Sequence, residues 1–172
     1  MTLQDLYSQL KNDLKTADKD SPDLTARRIL KHILPDLDDA DFITNPDLNI
    51  TEQAVSDANA IIARRINGEP LSKILGEQEF WGLSFKVSKD VLDPRPDTET
   101  IIEAALGHFK DNPPETLLDL GSGSGCLIVT LLHSFPQATG VAVDLSEAAL
   151  GMAKQNAASN QVLDRCTFIQ SS

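Results

Sequence analysis

The stretch from Thr116 to Ser146 constrains the fold more than any other part of the chain. Leu117-Leu118-Asp119-Leu120 is a short apolar run that reads as a buried strand, and Gly121-Ser122-Gly123-Ser124-Gly125 reads as a tight turn. Cys126 to Leu132 is apolar at helical spacing, and a second apolar strand, Thr139 to Val143, ends on Asp144, 19 residues beyond Gly125. Glycines let a backbone adopt positive φ and approach a ligand closely, while the N-terminus of the following helix leaves N–H groups free in the same space. A carboxylate at the tip of the next strand can accept hydrogen bonds from both hydroxyls of a ribose. The expected ligand is an adenosine derivative.

The third glycine bears on which derivative. The dinucleotide fingerprint G-x-G-x-x-G would place its last glycine at position 126, where this chain has Cys126; the glycine comes one residue early, at Gly125. The G-x-G-x-G form preceded by an acid, here Asp119, resembles motif I of the class I S-adenosyl-L-methionine-dependent methyltransferases. A nicotinamide or flavin enzyme, and a glycine-rich turn that binds nothing, are the alternatives at this point.

Charge narrows the partners. Fifteen basic residues against 26 acidic ones give the 172-residue chain a net charge of −11, which repels a phosphate backbone, so nucleic acid is not an expected partner. No stretch approaches the roughly 18 continuous apolar residues of a membrane span, and Met1 to Leu14 alternates charged and apolar residues unlike a signal peptide. A soluble, cytoplasmic protein without membrane contact is expected. Cys126 and Cys166 lack metal-ligand spacing and read as reduced packing residues; no metal site is predicted.

The first 68 residues read as a helical module. Leu3, Leu6, Leu10 and Leu14 predict an amphipathic helix over residues 2 to 16. Ser21-Pro22 predicts a cap and a first-turn proline for a second helix, which Pro35 ends. The acidic segment from Asp36 to Ile50 has room for one helical turn at Asp38 to Phe42. Thr51 caps a third long helix, with Val55, Ala58, Ile61, Ile62 and Ile66 on its apolar face, and Gly68 closes it. His32, the one histidine here, has no second ligand in view and reads as a surface or packing residue.

Residues 69–97 differ in character. Gln78 to Trp81 and Leu83 to Val87 predict a hairpin turning at Gly82, with Phe80, Trp81 and Phe85 as packing aromatics. Asp93-Pro94-Arg95-Pro96-Asp97 is stiffened by two prolines, so Arg95 is presented on rigid extended backbone. Asp97 reads as the N-cap of a helix carrying Ile101, Ile102, Ala105, Leu106 and Phe109.

Three segments together, Pro70 to Gly82, Pro94-Arg95-Pro96-Asp97-Thr98-Glu99 and Asp119 to Cys126, resemble the HemK/PrmC family, the glutamine methyltransferases of peptide chain release factors. The likeness runs along essentially the whole chain; Asp93, where the family has an aliphatic residue, is a small departure. The resemblance implies an α/β architecture: an all-helical N-terminal domain (residues 1–68) that recognises substrate, a β-hairpin and Pro-Arg-Pro linker (69–97), and the first part of a Rossmann-like class I methyltransferase domain (98–172). It implies S-adenosyl-L-methionine as cofactor, with Gly121, Ser122, Gly123, Ser124 and Gly125 cradling its methionine moiety and Asp144 binding the ribose. The same resemblance implies roles for Asp119, through water to the cofactor amino group, and for Arg95, near the cofactor mouth. The implied reaction is methylation of the glutamine side-chain amide in the Gly-Gly-Gln motif of release factors, a step tied to translation termination. A related methyltransferase acting on another protein or on nucleic acid, and a non-catalytic protein-binding remnant, are the competing readings.

The family's Asn-Pro-Pro-aromatic signature follows the fourth strand of its sheet, and this chain supplies three strands. Asn112-Pro113-Pro114 precedes the first strand instead, with Glu115 where the aromatic belongs, and reads as a breaker loop. Amide nitrogen is a weak nucleophile, so the signature acts by orienting it for in-line transfer. No catalytic residue is assigned within the chain. The sequence reads as the N-terminal portion of a longer enzyme, inactive by itself, with its first sheet strand left as an open apolar edge.

Overall fold

The computed structural model describes residues 1–171, which divide into two compact units, Met1–Leu75 and Gly76 onward. The first unit is all helical: α1 (Leu3–Thr16), α2 (Pro22–Ile33), α3 (Asp41–Thr44), α4 (Glu52–Ile66) and α5 (Leu71–Leu75). Leu3, Leu6, Leu10 and Leu14 of α1 are fully buried against Ala26, Ile29 and Leu30 of α2 and Ala54, Ala58 and Ile62 of α4. Each such leucine removed from water contributes about 1.5–3 kcal/mol, which is why the sequence's helical stripe becomes this unit's core. Thr2 and Asp5 form a reciprocal capping box at the start of α1. The end of α4 is closed by Gly68 at φ +98°, with Gly68 N–H to Arg65 O and Glu69 N–H to Arg64 O, the two bonds of a Schellman motif. Leu71 of α5 belongs to the same core.

Two local expectations in this unit are corrected. Ser21 adopts left-handed backbone (φ 47°, ψ 55°) and makes no side-chain cap; its carbonyl starts α2 by accepting from Thr25 N–H. The helical turn in the acidic segment is α3, at Asp41–Thr44, later than Asp38 to Phe42, because Asp38 and Asp41 exchange side-chain-to-backbone hydrogen bonds and hold Asp38 ahead of the turn.

The second unit opens with an antiparallel hairpin, β1 (Glu77–Phe80) and β2 (Leu83–Lys86), in the register Phe80↔Leu83. Trp81 (φ 52°) and Gly82 (φ 72°) form its two-residue turn, both with positive φ, which matches the twist of the strands. Phe80 and Phe85 are buried, but Trp81 is 38% exposed. A turn residue projects beyond the sheet, so Trp81 does not join the packing aromatics expected of it; its N–H is held by Glu99 Oε1 at 2.9 Å. Asp97 is not an N-cap either: Pro96–Thr98 winds into a 3-10 turn, and α6 (Glu99–His108) starts beyond it.

Then come β3 (Thr116–Leu120), α7 (Cys126–Ser134), β4 (Thr139–Asp144), α8 (Glu147–Ser159) and β5 (Cys166–Gln170). The strands form a parallel sheet in the order β3-β4-β5, with Leu120 opposite Val143 and Asp144 opposite Gln170. Parallel strands with right-handed crossovers place α7 and α8 on one face. Gly140 admits α7 to close range, since a Cβ there would lie 2.9 Å from Ile128 Cδ1. The other face carries Leu118, Leu120 and Ile169, which are 65%, 71% and 45% exposed. Asn112-Pro113-Pro114 lies in the loop between α6 and β3.

Candidate cofactor site

The first two residues of the glycine turn are tied to the end of β4 by the main chain. Gly121 and Ser122 N–H both donate to Val143 O, at 2.8 and 3.0 Å, so the turn leaves β3 and immediately crosses to the end of β4. Gly121, Gly123 and Gly125 have φ of 76°, 54° and 78°, a left-handed run that side chains would strain. Gly125 has a second reason to be glycine: a Cβ there would meet Ala153 Cβ of α8 at 3.0 Å. Gly125 is also the N-cap of α7, with no side chain closing the helix terminus.

Asp144 stands at the tip of β4 and grips this turn. Its Oδ2 accepts from Gly123 N–H at 2.8 Å and its Oδ1 from Ser146 N–H at 2.9 Å. Ser146 in turn caps α8 through Ala149 N–H. A carboxylate has about four lone-pair positions, so both oxygens of Asp144 keep capacity to accept further hydrogen bonds. Asp119, at the end of β3, is different: its Oδ2 is buried without a hydrogen-bond partner. Burial pushes the Asp119 carboxyl above the ordinary carboxylate range, against the help of the Ile128 amide and with a further push from the charge on Asp144. Ser122 Oγ is likewise buried and unpartnered, and Ser124 is buried beside it in sequence.

Asp119, the 121–125 turn and Asp144 therefore converge at the C-terminal ends of β3 and β4, where open α/β sheets bind their ligands. Arg95 is not bonded to this group. It is exposed, on extended backbone at φ −106° and ψ 143°, and among the described residues makes no hydrogen bond or ion pair with the turn.

Sequence reasoning missed Asn156. It lies on α8, is fully buried, and uses its whole amide: Nδ2 donates to Ser124 O at 2.8 Å and to Lys86 O at 3.0 Å, and Oδ1 accepts from Lys86 N–H at 2.7 Å. The available signal was a polar residue in phase with Leu150, Ala153 and Ala157, on the buried stripe of its helix. The two cysteines are free and partly buried; burial pushes the Cys166 thiol up to about 11. No group of three or more His, Cys, Asp or Glu able to hold a metal occurs among the described residues, and no described helix is long and apolar enough to cross a membrane.

A parallel sheet whose first strand runs through a glycine turn into a helix, and whose second ends on a turn-gripping acid, makes unit two the first part of a Rossmann-like methyltransferase domain. Residues 5–76 match the PrmC N-terminal domain and residues 96–172 the methyltransferase small domain. Over 169 residues the chain is 39% identical to the release factor glutamine methyltransferase of Nitratidesulfovibrio vulgaris, covering 98% of this chain and 57% of that protein. It is 44% identical over 140 residues to the release factor glutamine methyltransferase of Cereibacter sphaeroides, covering 81% of this chain and 49% of the relative. The chain belongs to the HemK/PrmC family and spans about half to three-fifths of the length of these relatives. Among solved structures it is similar to a SAM-dependent methyltransferase from Geobacter sulfurreducens in complex with S-adenosyl-L-homocysteine, at 35% identity and a TM-score of 0.37, over 45% of this chain and 29% of that one.

Proposed function

We propose that the 121–125 turn and Asp144 bind S-adenosyl-L-methionine, and that the protein to which this chain belongs methylates the glutamine side-chain amide of the Gly-Gly-Gln motif in peptide chain release factors. The observation that carries the cofactor assignment is the Asp144 carboxylate, anchored by Gly123 N–H at the strand tip and still able to accept from two ribose hydroxyls. The unpartnered Asp119 Oδ2 and Ser122 Oγ fit the same reading, since a polar ligand and its waters would satisfy groups that are otherwise costly to bury. The bound cofactor supplies an electrophilic methyl group on sulfonium. This chain's own residues bind and orient it: the glycine backbone gives close approach, Asp144 sets the ribose, and Asp119 acts through water on the amino group. Arg95 sits near the cofactor mouth in this proposal.

Names of the relatives support the substrate. Residues 1–68 recognise the release factor and residues 69–97 link them to the methyltransferase part. The reaction takes place in the cytoplasm, with no nucleic acid or membrane as partner. The 172-residue chain binds cofactor without turnover, because its one Asn-Pro-Pro precedes the first sheet strand and is followed by Glu115. Calorimetric titration with S-adenosyl-L-homocysteine tests the cofactor site: binding by the chain, weakened at least tenfold in Asp144→Ala, is expected. Unchanged affinity in that variant sinks the ribose assignment. Incubating a release factor with methyl-labelled cofactor and the full-length protein tests the substrate, and label absent from the Gly-Gly-Gln glutamine rejects it.

A further inference from the structure

The outer edge of β2 is satisfied by a helix instead of a strand. Ser84 and Lys86, two residues apart, present backbone groups to the same side of the hairpin. Asn160 Nδ2 donates to Ser84 O at 3.1 Å, while Asn156 pairs with both Lys86 N–H and Lys86 O as a neighbouring strand's peptide would. The fit is geometric: two residues of strand rise roughly 6.6 Å and four residues of helix roughly 6.0 Å, so asparagines at i and i+4 meet alternate strand residues. Asn160 Nδ2 also donates back to Asn156 O at 2.9 Å, whereas Asn156 reaches beyond the helix and hairpin. Asn156 Nδ2 also donates to Ser124 O, inside the glycine turn, from a fully buried position.

We infer that Asn156 is a positioning residue that locks the glycine turn to the hairpin, so that the two open as one unit and the turn holds its cofactor-binding shape only while the hairpin is docked on α8. The affinity part of this inference rests on the cofactor reading above; the mechanical coupling does not. Gly125 N–H donates to Ser122 O at 2.7 Å, across the segment whose Ser124 carbonyl Asn156 holds. Ala153, one turn earlier on α8, packs where a Gly125 Cβ would stand, so α8 contacts the turn at two successive positions. Asn156 thus joins Lys86 to the turn through one side chain. Anything that draws the hairpin away from α8 also frees the Ser124 carbonyl and slackens the turn.

Amide hydrogen exchange on the 172-residue chain reads the coupling without ligand. In low denaturant the Lys86 and Gly125 amides are expected to exchange through the same opening, with equal free energies and equal denaturant slopes; different slopes overturn the coupling. Asn156→Asp loses the donors to both Lys86 O and Ser124 O and turns a carboxylate toward those carbonyls, so it is expected to speed both Lys86 and Gly125 exchange at least tenfold. Unchanged Gly125 exchange in that variant overturns the assignment. Asn156→Ser, which is shorter and uncharged, serves if the aspartate variant does not fold, and is expected to speed both amides at least tenfold. Titration with S-adenosyl-L-homocysteine then separates the two proposals. Asn156→Asp is expected to weaken binding at least tenfold at a temperature where it is fully folded, and Asn160→Ser, which removes one hairpin bond while Asn156 still holds Lys86 and Ser124, to leave affinity within twofold. Affinity within twofold in both variants overturns the positioning role. A wild-type chain that shows coupled exchange and no ligand binding rejects the cofactor reading and retains the coupling.

Discussion

Asp119 and Asp23 are two carboxylates displaced in opposite directions. Burial holds the Asp119 carboxyl high, so its ionised form weighs against the fold at neutral pH. Asp119→Asn is therefore expected to raise the denaturation midpoint of the ligand-free chain at pH 7. The gain over wild type disappears as pH falls below the ordinary value of 3.8, where the aspartate is protonated in both folded and unfolded states. Asp23 is held down to about 2, first by the Tyr7 hydroxyl and then by Lys11, with Arg27 also bound. Its contribution is complete above pH 3.8 and is lost as pH falls through about 2. Because the Asp23 side chain is 53% exposed, solvent screens this cluster, and the difference between wild type and Asp23→Asn is expected to shrink in added salt. Acid denaturation followed by circular dichroism at low and high salt measures both effects.

At the level of elements, the glycine turn is held from outside as much as by its own sequence. Arg165, from the 3-10 turn before β5, donates to Leu132 O, Phe135 O and Ala138 O at 2.7 to 3.1 Å and so satisfies the C-terminal end of α7 and the loop beyond it. Removing the guanidinium strands these carbonyls, and Arg165→Met is expected to lose about 2 kcal/mol of unfolding free energy in a urea titration. Gly125→Ala combines left-handed backbone with a Cβ at 3.0 Å from Ala153, and is expected to lower stability by about 1–3 kcal/mol and to abolish tight cofactor binding. The companion variant Ala153→Gly, made together with Gly125→Ala, removes the Cβ contact and leaves the position-153 Cα at 3.2 Å and the φ, so a partial recovery measures the share of the side-chain contact.

On the scale of the whole molecule, the dominant fact about unit two is a sheet covered on one face. Leu118, Leu120 and Ile169 line the other, and β3 pairs with β4 alone among the described strands. An edge strand with outward leucines is a template for association. The chain is expected to self-associate with rising concentration in sedimentation velocity. Leu118→Ser with Leu120→Ser shifts it toward monomer without lowering the melting temperature, since neither side chain is buried.

Local pattern determined most of the elements: the leucine stripe of α1, the Thr51 and Gly68 boundaries of α4, the Gly82 hairpin and the alternation of strand and helix from β3 to β5 follow from periodicity and backbone preference. Where several local preferences compete, position alone did not decide. Ser21 and Asp97 are both good caps in isolation, yet Ser21 takes left-handed backbone and Asp97 is drawn into a 3-10 turn begun at Pro96. The glycine turn and Asp144 were legible because their spacing, 19 residues from Gly125 to Asp144, is set by one helix and one strand. That Asp144 grips Gly123 and that Asn156 ties Lys86 to Ser124 belong to tertiary structure. Hydrogen bonds between residues 21 to 70 positions apart have no period to betray them, and only the folded chain brings their donors and acceptors within reach.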